Sequence, residues 1–134
     1  MFSPHKSYAG AYQQVHVETG VEGADARRLV ALLFEGALGA ISAARAAIAR
    51  GDIEAKGAQI GRAVRIVDEG LRGGLDLARG GPLAANLNAL YLYVAQRLTQ
   101  ANLRNDEAAL TECASLLAPL SAAWAEAVMQ PQPA

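Results

Sequence analysis

The sequence predicts an all-α protein: an antiparallel up-down-up-down four-helix bundle with a short, partly helical N-terminal arm. First, 52% of its 134 residues are hydrophobic but only 5% are aromatic, and the abundant Ala, Leu, Arg and Glu lose little rotamer freedom in helices. Second, apolar residues recur at steps of three and four along four long stretches. Third, the connections are short, so consecutive helices turn back antiparallel. We predict an arm over 1–24, a bundle over 25–129 and a flexible tail over 130–134.

Charge and cysteine content argue against several classes of protein. A net charge of −1 does not provide the basic surface that nucleic-acid binding needs. The single cysteine, Cys113, cannot form an internal disulfide, and its apolar surroundings predict a buried, reduced thiol. No run approaches the roughly 20 apolar residues of a membrane span, and no secretory leader opens the chain. We expect a cytoplasmic protein that binds no nucleic acid and does not insert into a membrane.

The N-terminal arm contains two tyrosines, Tyr8 and Tyr12. Their spacing of four places both rings on one face of a helical turn. An arm docked on apolar surface and a frayed terminus both agree with this pattern.

The first long helix is predicted over 26–50, with Asp25 as its N-cap and Gly51 just past its end. Its apolar positions form two adjacent stripes rather than the single stripe of about 100° that a bundle helix needs. The extra surface must therefore meet another helix, the arm or a partner. One stripe contains Leu29, Leu33, Gly36, Ala40, Ala44 and Ala47, and the other contains Val30, Phe34, Leu38, Ile41 and Ile48.

Three further helices follow in order. Asp52 is placed to cap a helix over 53–79, which several glycines weaken. Gly80 to Asp106 is a punctuated third helix, with Pro82 in its first turn. Within it Leu92 and Tyr93 point off the main apolar stripe, which includes Leu87, and are placed to line a groove. A fourth helix is predicted over 107–129, capped by Asn105 or Asp106 and kinked at Pro119.

The residue pattern offers no catalytic or metal-binding constellation. Both histidines, His5 and His16, lie in the arm without a helical metal-ligand partner at the usual spacing. The carboxylates are spread over several helices without the Glu-x-x-His pairs of di-iron bundles. We therefore predict a non-enzyme with no catalytic residues, no metal and no cofactor. Surplus apolar surface favours a module that binds an amphipathic or disordered segment.

Several segments together resemble the flagellar secretion chaperone family FliS. They are Ala11-Tyr12, Leu29–Ala37, Ala47–Asp52, Gly80–Leu87, Leu90–Tyr93 and Ala101–Asp106, followed by Leu116, Leu117 and Trp124. The resemblance implies a helical bundle that binds the disordered C-terminal segment of flagellin in the cytosol. It also implies that the protein prevents premature polymerisation and presents the subunit to the flagellar export gate.

The resemblance also suggests which residues bind the partner. Phe34 and Glu35 stand where the family usually has tyrosine and aspartate, so ring packing is expected without a phenolic hydrogen bond. Asn102, Asn105 and Asp106 match the family's turn signature, for which capping and partner contact both remain open. The predicted partner-binding set is Tyr8, Tyr12, Val30, Phe34, Leu38, Ile41, Leu87, Leu92, Tyr93, Asn102, Asn105 and Asp106.

Two other interpretations remain open at this stage. The first is a structural bundle that forms a weak homodimer, or binds another amphipathic helix, through the same apolar stripe. The second is a small helical metal or redox enzyme.

Overall fold

The structure, a computed structural model, describes residues 23–129. Helices and the turns between them account for this range, which contains no strand, and the all-α prediction is confirmed. The predicted arm, with Tyr8 and Tyr12, and the predicted tail lie outside the described residues, except that Gly23 and Ala24 begin the first helix. The helices are α1 (Gly23–Ala49), α2 (Ile53–Arg65, continued as a π-helix over Ile66–Arg72), α3 (Gly81–Arg104) and α4 (Glu107–Met129).

Two tight turns use the residues that the sequence predicts. Gly51 has a φ of 75°, which an L side chain rarely adopts, and ends α1. Asp52 then caps α2 by accepting an N–H three residues on, at 3.0 Å. At the other turn Asn105 is left-handed, with φ 51° and ψ 44°, and Asp106 caps α4 in the same way, at 3.2 Å. Asp106 is therefore the N-cap, and Asn105 ends the preceding helix.

Two helix boundaries differ from the prediction. Asp25 lies within the first turn of α1 and does not precede the helix; an acidic side chain also suits the positive end of the helix dipole, so the residue type fits both positions. The second helix ends at Arg72, not at residue 79. The pair Gly73 and Gly74 ends it there because glycine loses the most backbone entropy in a helix.

Each helix lies antiparallel to the next, and α4 returns to α1. In each of these four pairings, a residue early in one helix contacts a residue late in the other, as an up-down-up-down bundle requires. The contacts that show this are Leu33 with Gly70, Lys56 with Asn102, Arg72 with Asn88, Arg97 with Glu112, Trp124 with Arg27, and Arg45 with Glu107.

One hydrophobic core lies between the four helices. Its largest fully buried side chains include Trp124, Tyr91 and Phe34, and removing a buried ring of this size typically costs about 3–5 kcal/mol. The indole N–H of Trp124 donates to the carbonyl oxygen of Arg27 at 2.8 Å, which joins α4 to the beginning of α1. Alanines of α1 are buried as well, among them Ala37, Ala40 and Ala44.

Two helices meet the length and composition test for a membrane span. They are Asp25–Ala49 and Glu107–Val128, so the prediction that no segment approaches this length was too strong. Core helices of soluble proteins share this length and composition. Here α1 and α4 completely bury Phe34 and Trp124 in the core.

Candidate partner-binding surface

The accessible apolar surface of α1 lies in its N-terminal half. Leu29 and Leu32 are 50% and 49% exposed, and a spacing of three places them on neighbouring parts of the helix surface. Between them in sequence, Val30 is buried. The surplus apolar surface predicted for α1 is therefore present in this half of the helix.

The α1 side chains predicted to bind a partner are mostly inside the bundle. Val30, Phe34 and Ile41 belong to the buried core, and Leu38 is partly buried against it. In this conformation, the buried side chains of Val30, Phe34 and Ile41 are not accessible to a partner. The ring of Phe34 is packed as expected, while Glu35 is exposed.

On α3 the predicted residues separate into core and surface. Leu87 is only 2% exposed, whereas Leu92 and Tyr93 are 40% and 42% exposed. Single exposed apolar residues are normal on protein surfaces, so the informative pairs are Leu29 with Leu32 and Leu92 with Tyr93. Other large apolar side chains in the described range that are exposed, and that sequence reasoning did not select, are Ile53, Leu77 and Leu103.

The hydroxyl group of Tyr93 belongs to a polar cluster between α3 and α4. It donates to Oε2 of Glu112 at 2.5 Å, while Nε of Arg97 donates to Oε1 of the same carboxylate at 2.8 Å. The hydrogen bond from Tyr93, and then that from Arg97, lower the pKa of Glu112. The hydrogen bond to Glu112 raises the pKa of Tyr93. The exposed ring is thereby held in one orientation.

The turn residues of the predicted site hold the bundle together through a buried lysine. Nζ of Lys56, a side chain with 5% exposure, donates to the carbonyl oxygen of Asn102 at 2.8 Å and to Oδ1 of Asn105. Asn102 and Asn105 thus join the end of α3 to the beginning of α2, and Asp106 caps α4. Sequence reasoning missed Lys56, although its spacing of four from buried Ile60 places it on the core face of α2.

No grouping of three or more His, Cys, Asp or Glu side chains that could hold a metal ion occurs within residues 23–129. Cys113 is buried, and its thiol faces the carbonyl oxygen of Val94 at 3.8 Å. Burial raises the pKa of this thiol to about 11. Because the thiolate is the nucleophile, a thiol in this environment is a poor one.

The four-helix fold places the chain in the class of small helical bundles, and the pairs of exposed apolar side chains on α1 and α3 are its candidate contacts with another protein. Residues 8–131 match the model of one family in that class, described as flagellar protein FliS. The chain belongs to the FliS family, and the resemblance seen in the sequence is confirmed.

Relatives in several bacteria are similar along most of their length. The flagellar secretion chaperone FliS of Salmonella typhimurium is 46% identical over 114 residues, which cover 85% of this chain and 84% of the relative. Flagellar secretion chaperone FliSB of Pseudomonas aeruginosa is 44% identical over 113 residues, covering 84% and 89%. The FliS protein of Escherichia coli is 39% identical over 121 residues, covering 90% and 89%.

Proposed function

We propose that this protein is a cytoplasmic flagellar secretion chaperone that binds the disordered C-terminal segment of flagellin. By occupying that segment it prevents premature polymerisation, and it delivers the subunit to the flagellar export gate. The observation that carries this proposal is the 46% identity, over 85% of the chain, to a relative named as a flagellar secretion chaperone. No step of this function requires a catalytic residue, a metal or a cofactor.

Binding a disordered segment requires a long interface, because the segment loses conformational entropy when it folds. The 27 residues of α1 span about 40 Å at 1.5 Å per residue, which suits a wrapped partner. Leu29 and Leu32 on α1, and Leu92 with Tyr93 on α3, offer apolar contacts to short amphipathic helices of that partner.

The exposed leucines of α1 provide the main test of the binding function. A peptide of the C-terminal segment of the flagellin from the same genome is titrated into the full-length protein and followed by calorimetry. Replacing Leu29 and Leu32 together with serine should weaken binding at least tenfold while the thermal midpoint stays close to that of the wild type. Leu103→Ser is the matched control, since that side chain is 80% exposed and lies outside the proposed surface. Equal loss of affinity in both variants, or no binding by the wild type, would contradict the proposal.

Tyr93 tests the contribution of α3. Tyr93→Ser should weaken peptide binding more than folding, because it removes the exposed ring. Tyr93→Phe keeps the ring and removes only the hydrogen bond to Glu112, so its affinity should stay near that of the wild type. Equal effects of Tyr93→Ser on binding and on stability would assign this residue to the fold alone.

The N-terminal arm is proposed to guard the apolar surface through Tyr8 and Tyr12 until flagellin displaces it. Deleting residues 1–14 should then tighten peptide binding or speed it. Calorimetry and stopped-flow fluorescence measure the two effects, and unchanged affinity together with unchanged rate would refute the guard role.

Light scattering distinguishes the chaperone from a bundle that uses the same surface to dimerise. A chaperone should give the mass of one chain alone and of a one-to-one complex with the peptide. A weak homodimer would instead show a mass that rises with protein concentration and falls when the peptide is added.

Asn102, Asn105 and Asp106 are proposed to contact the partner in addition to their structural role at the turn.

A further inference from the structure

The C-terminal end of α2 is π-helical rather than α-helical over Ile66–Arg72. The N–H of Gly73 donates to the carbonyl oxygen of Asp68, five residues back, at 3.1 Å, where an α-helix would use the residue four back. π-Helices are rare, usually a single turn long, and frequent at functional sites. We therefore looked for the contacts that stabilise the π-helical conformation of this segment.

Two glycines make the π-helical arrangement possible. A Cβ atom added to Gly73 would lie 2.2 Å from the carbonyl oxygen of Glu69, so no other residue fits there without movement. A Cβ atom added to Gly70 would lie 3.0 Å from Cδ2 of Leu33 on α1. Leu33 is partly buried against the core. Gly70 thus provides the space in which the side chain of Leu33 lies.

The end of the segment is also tied to a third helix. Nε of Arg72 donates to Oδ1 of Asp68 at 2.7 Å, and Nη1 of Arg72 donates to Oδ1 of Asn88 on α3 at 3.3 Å. The π-helical turn therefore contacts α1 on one side and α3 on the other. A change in the hydrogen bonding of this turn would therefore alter its contacts with both α1 and α3.

We propose that Ile66–Arg72 is a two-state element that controls the apolar surface of α1. In the closed state seen here, Leu33 lies against Gly70. In the open state the segment becomes α-helical, and a slip of one residue turns its end by about 100° and shifts it by about 1.5 Å. Glu69 then takes the place of Gly70 opposite Leu33, and Gly70 takes the place of Leu71, which is fully buried in the closed state. The new side chain displaces Leu33 towards solvent.

The open state enlarges the proposed binding surface. Leu33 lies four residues after Leu29 and next to Leu32, so its displacement adds a third leucine to the same region of α1. A partner that buries this region binds the open state more tightly and shifts the population towards it. This inference rests on the proposed chaperone function, because the partner is the flagellin segment.

Glycine substitutions test the control of binding with the same peptide and full-length protein. Gly70→Ala crowds Leu33 and Gly73→Ala disfavours the π-helical end, so both should favour the open state and tighten binding, by about three- to tenfold. Gly39→Ala is the matched control, since a Cβ atom there meets nothing within 4 Å, and it should bind as the wild type does. Adding Leu33→Ala to Gly70→Ala should abolish the gain.

Weaker or unchanged binding by both folded glycine variants would overturn the inference, because damage to the fold lowers affinity and does not raise it. Amide hydrogen exchange without peptide tests the switch separately from the chaperone function. Exchange over 66–73 should slow at least fivefold in Gly73→Ala while that over 110–117 stays the same. Equal exchange over 66–73 in the two proteins refutes the switch even where the peptide binds. Failure of the wild type to bind the peptide refutes the chaperone proposal instead.

Discussion

The ammonium group of Lys56 reaches across the bundle to two groups at the end of α3, the carbonyl oxygen of Asn102 and the amide oxygen of Asn105. The last four carbonyl groups of a helix lack partners within it, and a cation near this end also interacts favourably with the helix dipole. The buried Lys56 therefore supplies the donor for a polar turn whose Asn102 is partly buried and whose Asn105 is exposed. The sequence presents this turn only as a set of Asn and Asp residues. Asn102, Asn105 and Asp106, which the sequence suggested as partner contacts, therefore also stabilise the fold at this turn.

Lys56→Met should destabilise the protein by about 1–3 kcal/mol, because it leaves the oxygens of Asn102 and Asn105 without their donor. Urea denaturation measures this loss. Asn105→Gly removes only the side-chain acceptor and suits the left-handed φ of 51° at this position, so it should cost less than Lys56→Met. A larger loss in Asn105→Gly than in Lys56→Met would show that Lys56 is not the main tie at this turn.

Glu112 should make stability depend on pH. Its folded-state pKa is lowered by the hydrogen bonds from Tyr93 and Arg97, so the ionised carboxylate contributes stability that is fully present above the ordinary value of 4.5. This contribution is lost as the pH falls through the lower folded-state pKa. Wild type and Glu112→Gln should therefore differ most in urea denaturation at pH 7 and converge at pH 3. A constant difference across this range would show that the charge of Glu112 is not responsible.

At the scale of elements, the turns were predictable and the orientation of α1 was not. Gly51, Asp52 and Asp106 act through local backbone geometry, which their residue types reveal directly. The two apolar stripes of α1 are adjacent and similar, so the choice between burying Phe34 and burying Leu29 depends on the other three helices. The π-helical turn likewise depends on Leu33 and Asn88, which lie far away in sequence. Lys56, although on the core face of its helix, needed acceptors that only the fold brings near.

Two glycines, Gly39 in α1 and Gly51 just after it, allow the conformational effect of an alanine substitution to be measured without a change in packing. Gly51 has a φ of 75° and Gly39 lies inside the helix, and a Cβ atom at either position meets nothing within 4 Å. Gly51→Ala should therefore destabilise by about 1–2 kcal/mol, whereas Gly39→Ala should stabilise by about 0.5–1 kcal/mol. Thermal unfolding of the two variants measures both signs. A loss of stability in Gly39→Ala would mean that the helix surface there is not open.

For the whole molecule, the ring of antiparallel contacts has a consequence for cooperativity. Every helix in the described range touches the one before or after it, and the contact between Trp124 and Arg27 joins the last helix to the first. The buried residues of all four helices form one cluster. In the proposed switch, opening at the C-terminal end of α2 changes the partner-binding surface of α1 and also moves Leu71, which belongs to this cluster. The local opening and the core are therefore coupled.

Trp124 is the single tryptophan of the chain and is fully buried in that cluster, so its fluorescence reports on the core as a whole. Unfolding in urea should give the same midpoint by tryptophan fluorescence and by far-ultraviolet circular dichroism, as a two-state transition requires. Adding flagellin peptide at 100 times its Kd should raise the unfolding free energy by about 2.7 kcal/mol. Both probes should shift together, because the peptide binds one cooperative unit. A circular dichroism transition that begins before the fluorescence change would show that part of the bundle unfolds independently of the core around Trp124.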